Sequence, residues 1–341
     1  MSEERKREIW VDNVKVVACV LVVLGHFFQS MTTASILPST DLYRWFIQTI
    51  YYFHVPLFFL CSGYLYQKYS RVTNGKEWKN HVRKKALALG VPYFLFSTAT
   101  VVLKNIFSGS VNTQAGGLAE TLFLKPASPY WYLYCLFFIF AITVTFQNRK
   151  MVVLGLIFAL ALKGISFLGG RYIYAVSTVL ANEIWLVLGM CLCVVDFPAR
   201  MKTKRCGFSI GILTGIAFLV LSVLVYVSGL ESKELSFLLG VLACFAVIVL
   251  IMAFFRDRKQ SLVWGFLARY TMPIFLMHTI FAAAMRSLLL KAGIESALPH
   301  VAAGIGMSFI GPVVTAMIME RFAWLNFFLY PGRYVQIGKK K

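Results

Sequence analysis

Lys15 and His26 stand eleven positions apart in the first strongly apolar stretch of the chain, which reads WVDNVKVVACVLVVLGH from Trp10. Eleven steps of about 100° return close to the starting direction, so a helix puts both side chains on one face. The same steps rise about 16 Å, roughly half the hydrocarbon thickness of a bilayer. A cation at a membrane surface therefore shares a face with an imidazole deep inside. Polar groups at such depth are costly, which makes them functional candidates.

Three more ionisable groups fall near the middle of apolar stretches: His54 in YYFHVPLFFL, His278 in PIFLMH and Glu183 in ANEIW. Each alone can be a hydrogen-bonded interior residue that holds helices together. Four at similar depth point to a shared polar cavity. Histidine suits proton transfer because its ordinary pKa lies near neutrality. A base of this kind would take the proton of a hydroxyl while that oxygen attacks an acyl carbonyl. Two facing histidines could instead ligate a haem iron, although the chain has no Cys-x-x-Cys-His attachment run. Pro56, two residues after His54, must disturb its helix, and carbonyls freed at membrane depth belong beside a cavity. Tyr130, Trp131, Tyr132 and Tyr134 follow Pro129 and read either as an interfacial aromatic belt or as a platform on which sugar rings stack.

The elements that carry these groups are membrane helices. The 341 residues are 59% hydrophobic and only 14% charged, with a mean hydropathy of +0.73. Soluble domains carry about 25% charged residues. Ten spans are expected, near 14–30, 43–67, 86–103, 130–146, 151–168, 172–195, 208–227, 235–255, 271–290 and 301–319. With a cytosolic N-terminus, 24 of the 34 lysines and arginines fall in cytosolic segments, which orients the chain with both termini inside. The cluster Lys68, Arg71, Lys76, Lys79, Arg83, Lys84 and Lys85 lies in one inner loop and reads as a topology signal that touches lipid headgroups. The net charge of +20 is explained in the same way rather than by nucleic acid, because no basic aromatic module or zinc spacing accompanies it.

Arg5-Lys6-Arg7 before an apolar run resembles the start of a signal peptide, but cleavage near 33–35 would discard Lys15 and His26, so the run is read as a retained span. Six of the seven cysteines lie in apolar helices as small hydrophobes, with Cys206 beside an inner loop. Cys191-x-Cys193 has no partner pair, and no metal is expected. No internal repeat or soluble segment is evident, so residues 1–341 form one all-α polytopic membrane domain.

Several motifs together resemble the acyltransferase-3 family of integral-membrane O-acyltransferases, in its fucose 4-O-acetylase-like branch. Asp12, Lys15 and His26 match its Asp-x-x-(Arg/Lys)-x10-His pattern. FHVPLFFLCSGY from Phe53 matches its second-helix signature. Arg83-Lys84-Lys85 with Pro92-Tyr93, Trp131-Tyr-Leu-Tyr, and RYTMPIFLMH from Arg269 follow in the family's order, so the resemblance covers residues 9 to 280. Lys15 replaces the more usual arginine, Val16 stands where a small residue is common, and Ala88 stands near a position that is often basic.

The resemblance implies acyl transfer across the bilayer. Acyl-CoA, most simply acetyl-CoA, is expected as co-substrate, with its phosphates at Arg83, Lys84, Lys85 and Lys15. His26 is expected to be the general base or a transient acyl carrier, supported by Lys15 and Asp12. His54, Glu183, His278, Trp131 and Tyr134 are expected to line the cavity or bind the acceptor, an envelope sugar, glycan or lipid-linked glycan. The expected location is a bacterial plasma membrane. No esterase-like domain follows, so transfer is expected to finish within the membrane domain. The rival reading is a polysaccharide or small-molecule transporter that uses the same polar cavity.

Overall fold

A computed structural model describes residues 8 to 335, except positions 71, 111, 115, 171, 202 and 257 and the side chain at 110. Arg71 of the expected inner cluster and the basic run Arg5-Lys6-Arg7 therefore lie outside the described residues. Among the described residues the chain is helical with no strand. Its helices are α1 (Ile9–Thr33), α2 (Asp41–Tyr51), α3 (His54–Tyr69), α4 (Gly75–Ile106), α5 (Trp131–Ile142), α6 (Arg149–Leu168), α7 (Tyr174–Val194), α8 (Phe197–Arg200), α9 (Lys204–Ser228), α10 (Lys233–Phe255), α11 (Leu262–Lys291), α12 (Ala297–Arg321) and α13 (Ala323–Leu329). Among these residues nine stretches are long and apolar enough to cross a bilayer, with α2 and α3 counted as one.

The expected span near 130–146 is shorter than a crossing. Helix α5 has 12 residues, a rise of about 18 Å against a hydrocarbon core of about 30 Å. Beyond Ile142 the backbone is extended, and side chains from α3 pair with it. The Tyr66 hydroxyl donates to the Thr143 carbonyl at 2.7 Å. Gln67 brackets Phe146, donating to its carbonyl and accepting from its N–H, both at 2.9 Å. Irregular backbone at membrane depth persists where protein groups pair it in this way.

The expected span near 43–67 is interrupted at Tyr52 and Phe53, between α2 and α3. Pro56 has no N–H to give to the Tyr52 carbonyl, and its ring would clash with that carbonyl in a continuous helix. The carbonyl instead faces α10, where a Cβ on Gly240 would come within 2.5 Å of it. Glycine is required there by close approach.

Helix α3 crosses α7 almost backbone to backbone. A Cβ on Gly63 would lie 1.9 Å from the Leu186 carbonyl oxygen, and one on Gly189 would lie 2.0 Å from that of Leu60. Small residues let membrane helices approach this closely, and dispersion then holds them. Helix α1 packs against α3, α10, α11 and α12, and its residues Val11, Val14, Ala18, Cys19, Val22 and Val23 are buried in the main core. The helix that carries Lys15 and His26 is thus central to the bundle.

Candidate functional site: two cavities on one helix stripe

The C-terminal ends of α1 and α6 and the N-terminal ends of α5, α7 and α10 meet at one end of the bundle, where residues of all five line a common space. A cavity of about 990 Å³ opens there, lined by His26, Gln29, Tyr51, His54, Ser128, Trp131, Tyr132, Lys163, Asn182 and Glu231 among others. At the opposite end a second cavity of about 560 Å³ is lined by Glu8, Asp12, Lys15, Ser62, Tyr66, Tyr69, Lys85 and Phe140 among others. After the orientation expected from the sequence, the first is called outer and the second inner.

Helix α1 serves both. Glu8, Asp12 and Lys15 open into the inner cavity, and Val22, His26 and Gln29 into the outer one. Spacings of three and four residues set these positions on a single stripe. Between the two groups the stripe is covered at Cys19, which is 3% exposed and gives its thiol to the Thr271 carbonyl of α11 at 3.6 Å. The expected shared face of Lys15 and His26 is therefore present, but the two side chains enter different compartments.

The boundary between compartments is aromatic. Tyr132 lines the outer cavity and Ser62 the inner one, and their hydroxyls lie 3.2 Å apart. Phe59, Phe58 and Phe275 pack their rings around Tyr132 with centroids at 4.8, 5.6 and 5.6 Å. At this point the two linings meet across one hydrogen bond, with the four rings packed around it.

In the outer cavity the His26 Nε2 lies 3.3 Å from the Ser128 hydroxyl. The His26 ring packs against His278 at a 38° tilt, with centroids 5.4 Å apart. His54 keeps its Nδ1 2.6 Å from the Ile50 carbonyl at the end of α2. His278 keeps its Nδ1 3.0 Å from the Ile274 and Phe275 carbonyls. A carbonyl only accepts, so Nδ1 carries a proton in both rings, and in the neutral form of each ring the lone pair is on Nε2. In His278 that Nε2 is buried without a partner among the described residues. The Tyr51 ring lies edge-on to His54 at 4.7 Å, and its hydroxyl donates to Gln29 at 3.0 Å. The connection before α5 caps this end: Ser128 reaches His26, and Asn112 donates to the Ser30 carbonyl at 2.8 Å.

The inner cavity is more charged. Lys15 and Lys85 share it with Glu8 and Asp12. Lys85 lies 3.7 Å above the Phe140 ring. Glu8 is held by an ion pair with Lys68 and by the Tyr69 hydroxyl at 3.1 Å.

Several residues singled out in the sequence stand elsewhere. Arg83 and Lys84 are exposed on α4, outside the lining of the inner cavity, and only Lys85 of that triplet faces in. Glu183 is buried at 1% exposure and accepts from the Thr143 hydroxyl at 2.7 Å, while its neighbours Asn182 and Trp185 line the outer cavity. It ties α7 to the end of α5. His278 sits behind His26 rather than on the cavity wall. Tyr134 gives its hydroxyl to the Phe123 carbonyl at 2.9 Å and braces the preceding loop, whereas Trp131 does line the cavity. Among the described residues no three His, Cys, Asp or Glu side chains cluster as metal ligands.

Lys163 is a lining residue that the motifs do not mark. Its signal was present: a lysine inside an apolar helix, on the side where the positive-inside pattern is poor in cations.

Residues 8–317 match the family model described as "Acyltransferase domain", acyltransferase-3. The chain belongs to this acyltransferase family. The motifs at Asp12, Lys15 and His26 and at Phe53–Tyr64 thus lie within the matched region, as do both cavities up to Phe275. A curated relative is nodulation protein NolL of Mesorhizobium japonicum, 28% identical over 151 residues, which are 43% of this chain and 38% of that protein. The aligned part thus spans less than two-fifths of NolL. No solved structure matches.

Proposed function

We propose that this acyltransferase domain moves an acyl group, acetyl in the simplest case, from acyl-CoA in the cytosol to a hydroxyl on the far side of a bacterial plasma membrane. The acceptor in this reading is an envelope sugar, glycan or lipid-linked glycan, and both chain termini are cytosolic. The observation that supports it best is the Ser62–Tyr132 boundary, where a charged cavity and an imidazole-bearing cavity on one α1 stripe come within a single hydrogen bond of each other.

Lys15 and Lys85 supply charge for the nucleotide phosphates, with Asp12 and Glu8 beside them. Arg83 and Lys84, exposed on the same helix, add long-range attraction. The donor's thioester arm then reaches His26 when the Tyr132 ring turns aside. His26 takes the acceptor hydroxyl proton as its oxygen attacks the thioester carbonyl. The C–S bond breaks, and the departing CoA sulfur takes that proton from the imidazolium. A variant route carries the acyl group on the His26 ring between donor and acceptor. Ser128 orients His26, and His278 supports its ring from behind.

Mass spectrometry of envelope glycans from cells with the protein, without it and with His26→Ala tests the proposal. An O-acyl group present only with the intact protein is the expected result. Identical glycans in all three, together with substrate movement that consumes no acyl-CoA, would establish the transporter reading instead.

A further inference from the structure

Lys163 lies in the last third of α6, five residues before the helix ends. It lines the outer cavity together with His26 and His54. Its Nζ donates to the Ala181 carbonyl of α7 at 2.9 Å and sits 5.3 and 5.2 Å from the ring centroids of Phe167 and Phe237. These neighbours hold the ammonium without neutralising it. A carbonyl takes one of three N–H groups, and phenyl faces attract a cation but carry no net charge.

Among the described residues no carboxylate is within ion-pair distance of Lys163. The carboxylate that lines the cavity, Glu231, accepts from Gln48. Glu183 is turned to Thr143. Lys233, at the start of α10, adds a second cation to the lining. An ammonium kept inside an apolar helix at a cavity wall calls for a counter-charge, and among the described residues no carboxylate pairs with it.

We infer that the outer cavity takes an acceptor bearing an oxyanion, a carboxylate or a phosphate, and that Lys163 binds it. The inference deepens the acyl-transfer reading and rests on it only for the role of the ligand as acceptor. Two sources share this chemistry: the carboxylate of an acidic sugar, and the phosphate that joins a sugar to a lipid.

The test is the thermal unfolding midpoint of the purified full chain in detergent, titrated with glucose, glucuronate, glucose 1-phosphate and, separately, acetyl-CoA. At least one anion should raise the midpoint by about 2 °C or more where glucose does not. A shift with glucuronate alone identifies an acidic sugar, one with glucose 1-phosphate alone a phosphate linkage, and one with both a general oxyanion site. Lys163→Gln, which retains a donor for Ala181, should weaken the anion effect at least about tenfold in midpoint concentration. Lys163→Arg should preserve it. The acetyl-CoA shift should persist in both variants, which shows that they are folded. Equal shifts for glucose and the anions, no anion shift in the wild type, or an anion shift that survives Lys163→Gln would overturn the inference. An anion shift without any acetyl-CoA shift would leave the Lys163 site standing and sink the donor reading.

Discussion

The two cavities differ in the kind of recognition they can perform. The inner one is the smaller, about 560 Å³, and two lysines and two carboxylates line it. The outer one is about 990 Å³ and is walled mainly by imidazole, indole, phenol and amide groups, with Lys163, Lys233 and Glu231 set among them. Charge at a solvent-facing cavity holds a polyanion without demanding one geometry, whereas aromatic and hydrogen-bonding walls select by shape. In the proposed reading, the donor binds at the inner end and the chemistry on the acceptor takes place at the outer one. It also separates what mutations at the two ends should do.

The largest expected effect is at His26. His26→Ala should lower acyl transfer by about 10²- to 10⁴-fold, the range of a lost general base, while acetyl-CoA binding by the purified protein stays within about twofold. Transfer at the wild-type rate would remove the catalytic assignment. A folded and inactive His54→Ala beside an active His26→Ala would move the role to His54.

At the inner end, Lys85→Ala should raise the KM for acetyl-CoA about tenfold with little change in kcat, because a phosphate contact is shared by the ground and transition states. Steady-state kinetics with varied acetyl-CoA reads this directly. Lys15→Ala should lower kcat as well, since Lys15 shares the His26 stripe, and Lys15→Arg should keep activity. A pure kcat loss in Lys85→Ala would break the proposed division of labour.

The boundary itself gives a smaller effect. Tyr132→Phe keeps the ring packed among Phe58, Phe59 and Phe275 but removes the bond to Ser62. Release of free CoA in the absence of acceptor should rise about fivefold, the worth of one net hydrogen bond. No rise would show that the Ser62–Tyr132 bond does not keep the compartments apart.

The smallest effect is expected at Arg83 and Lys84. Both are exposed, so alanine there should change the KM for acetyl-CoA by about twofold at low salt and less as salt rises. Losses as large as that of Lys85→Ala would extend the inner site along α4.

The membrane class, most of the spans, the shared face of Lys15 and His26 and the family motifs were legible in the sequence alone. They depend on local rules: apolar length, helical period and residue order. Those rules also mark where a helix must be disturbed, as at Pro56, but not how the chain resolves it. The break at Tyr52 and Phe53 depends on α10 offering Gly240 to the exposed carbonyl. The short α5 and its extended continuation depend on Tyr66 and Gln67, more than 70 positions earlier.

Which polar groups share a compartment was decided only by the tertiary structure. Lys15 and His26 occupy one stripe by sequence, yet α11 covers its middle at Cys19 and divides it in two. Glu183 and Asn182 are adjacent in sequence, but only Asn182 lines the cavity, because adjacent helical residues point about 100° apart and Glu183 is turned to accept from Thr143. Lys85 faces in while Arg83 and Lys84 face out for the same reason. Local spacing determines the direction of a side chain from its own helix axis. What that direction meets, whether lipid, another helix or a cavity, depends on how the other helices pack around it.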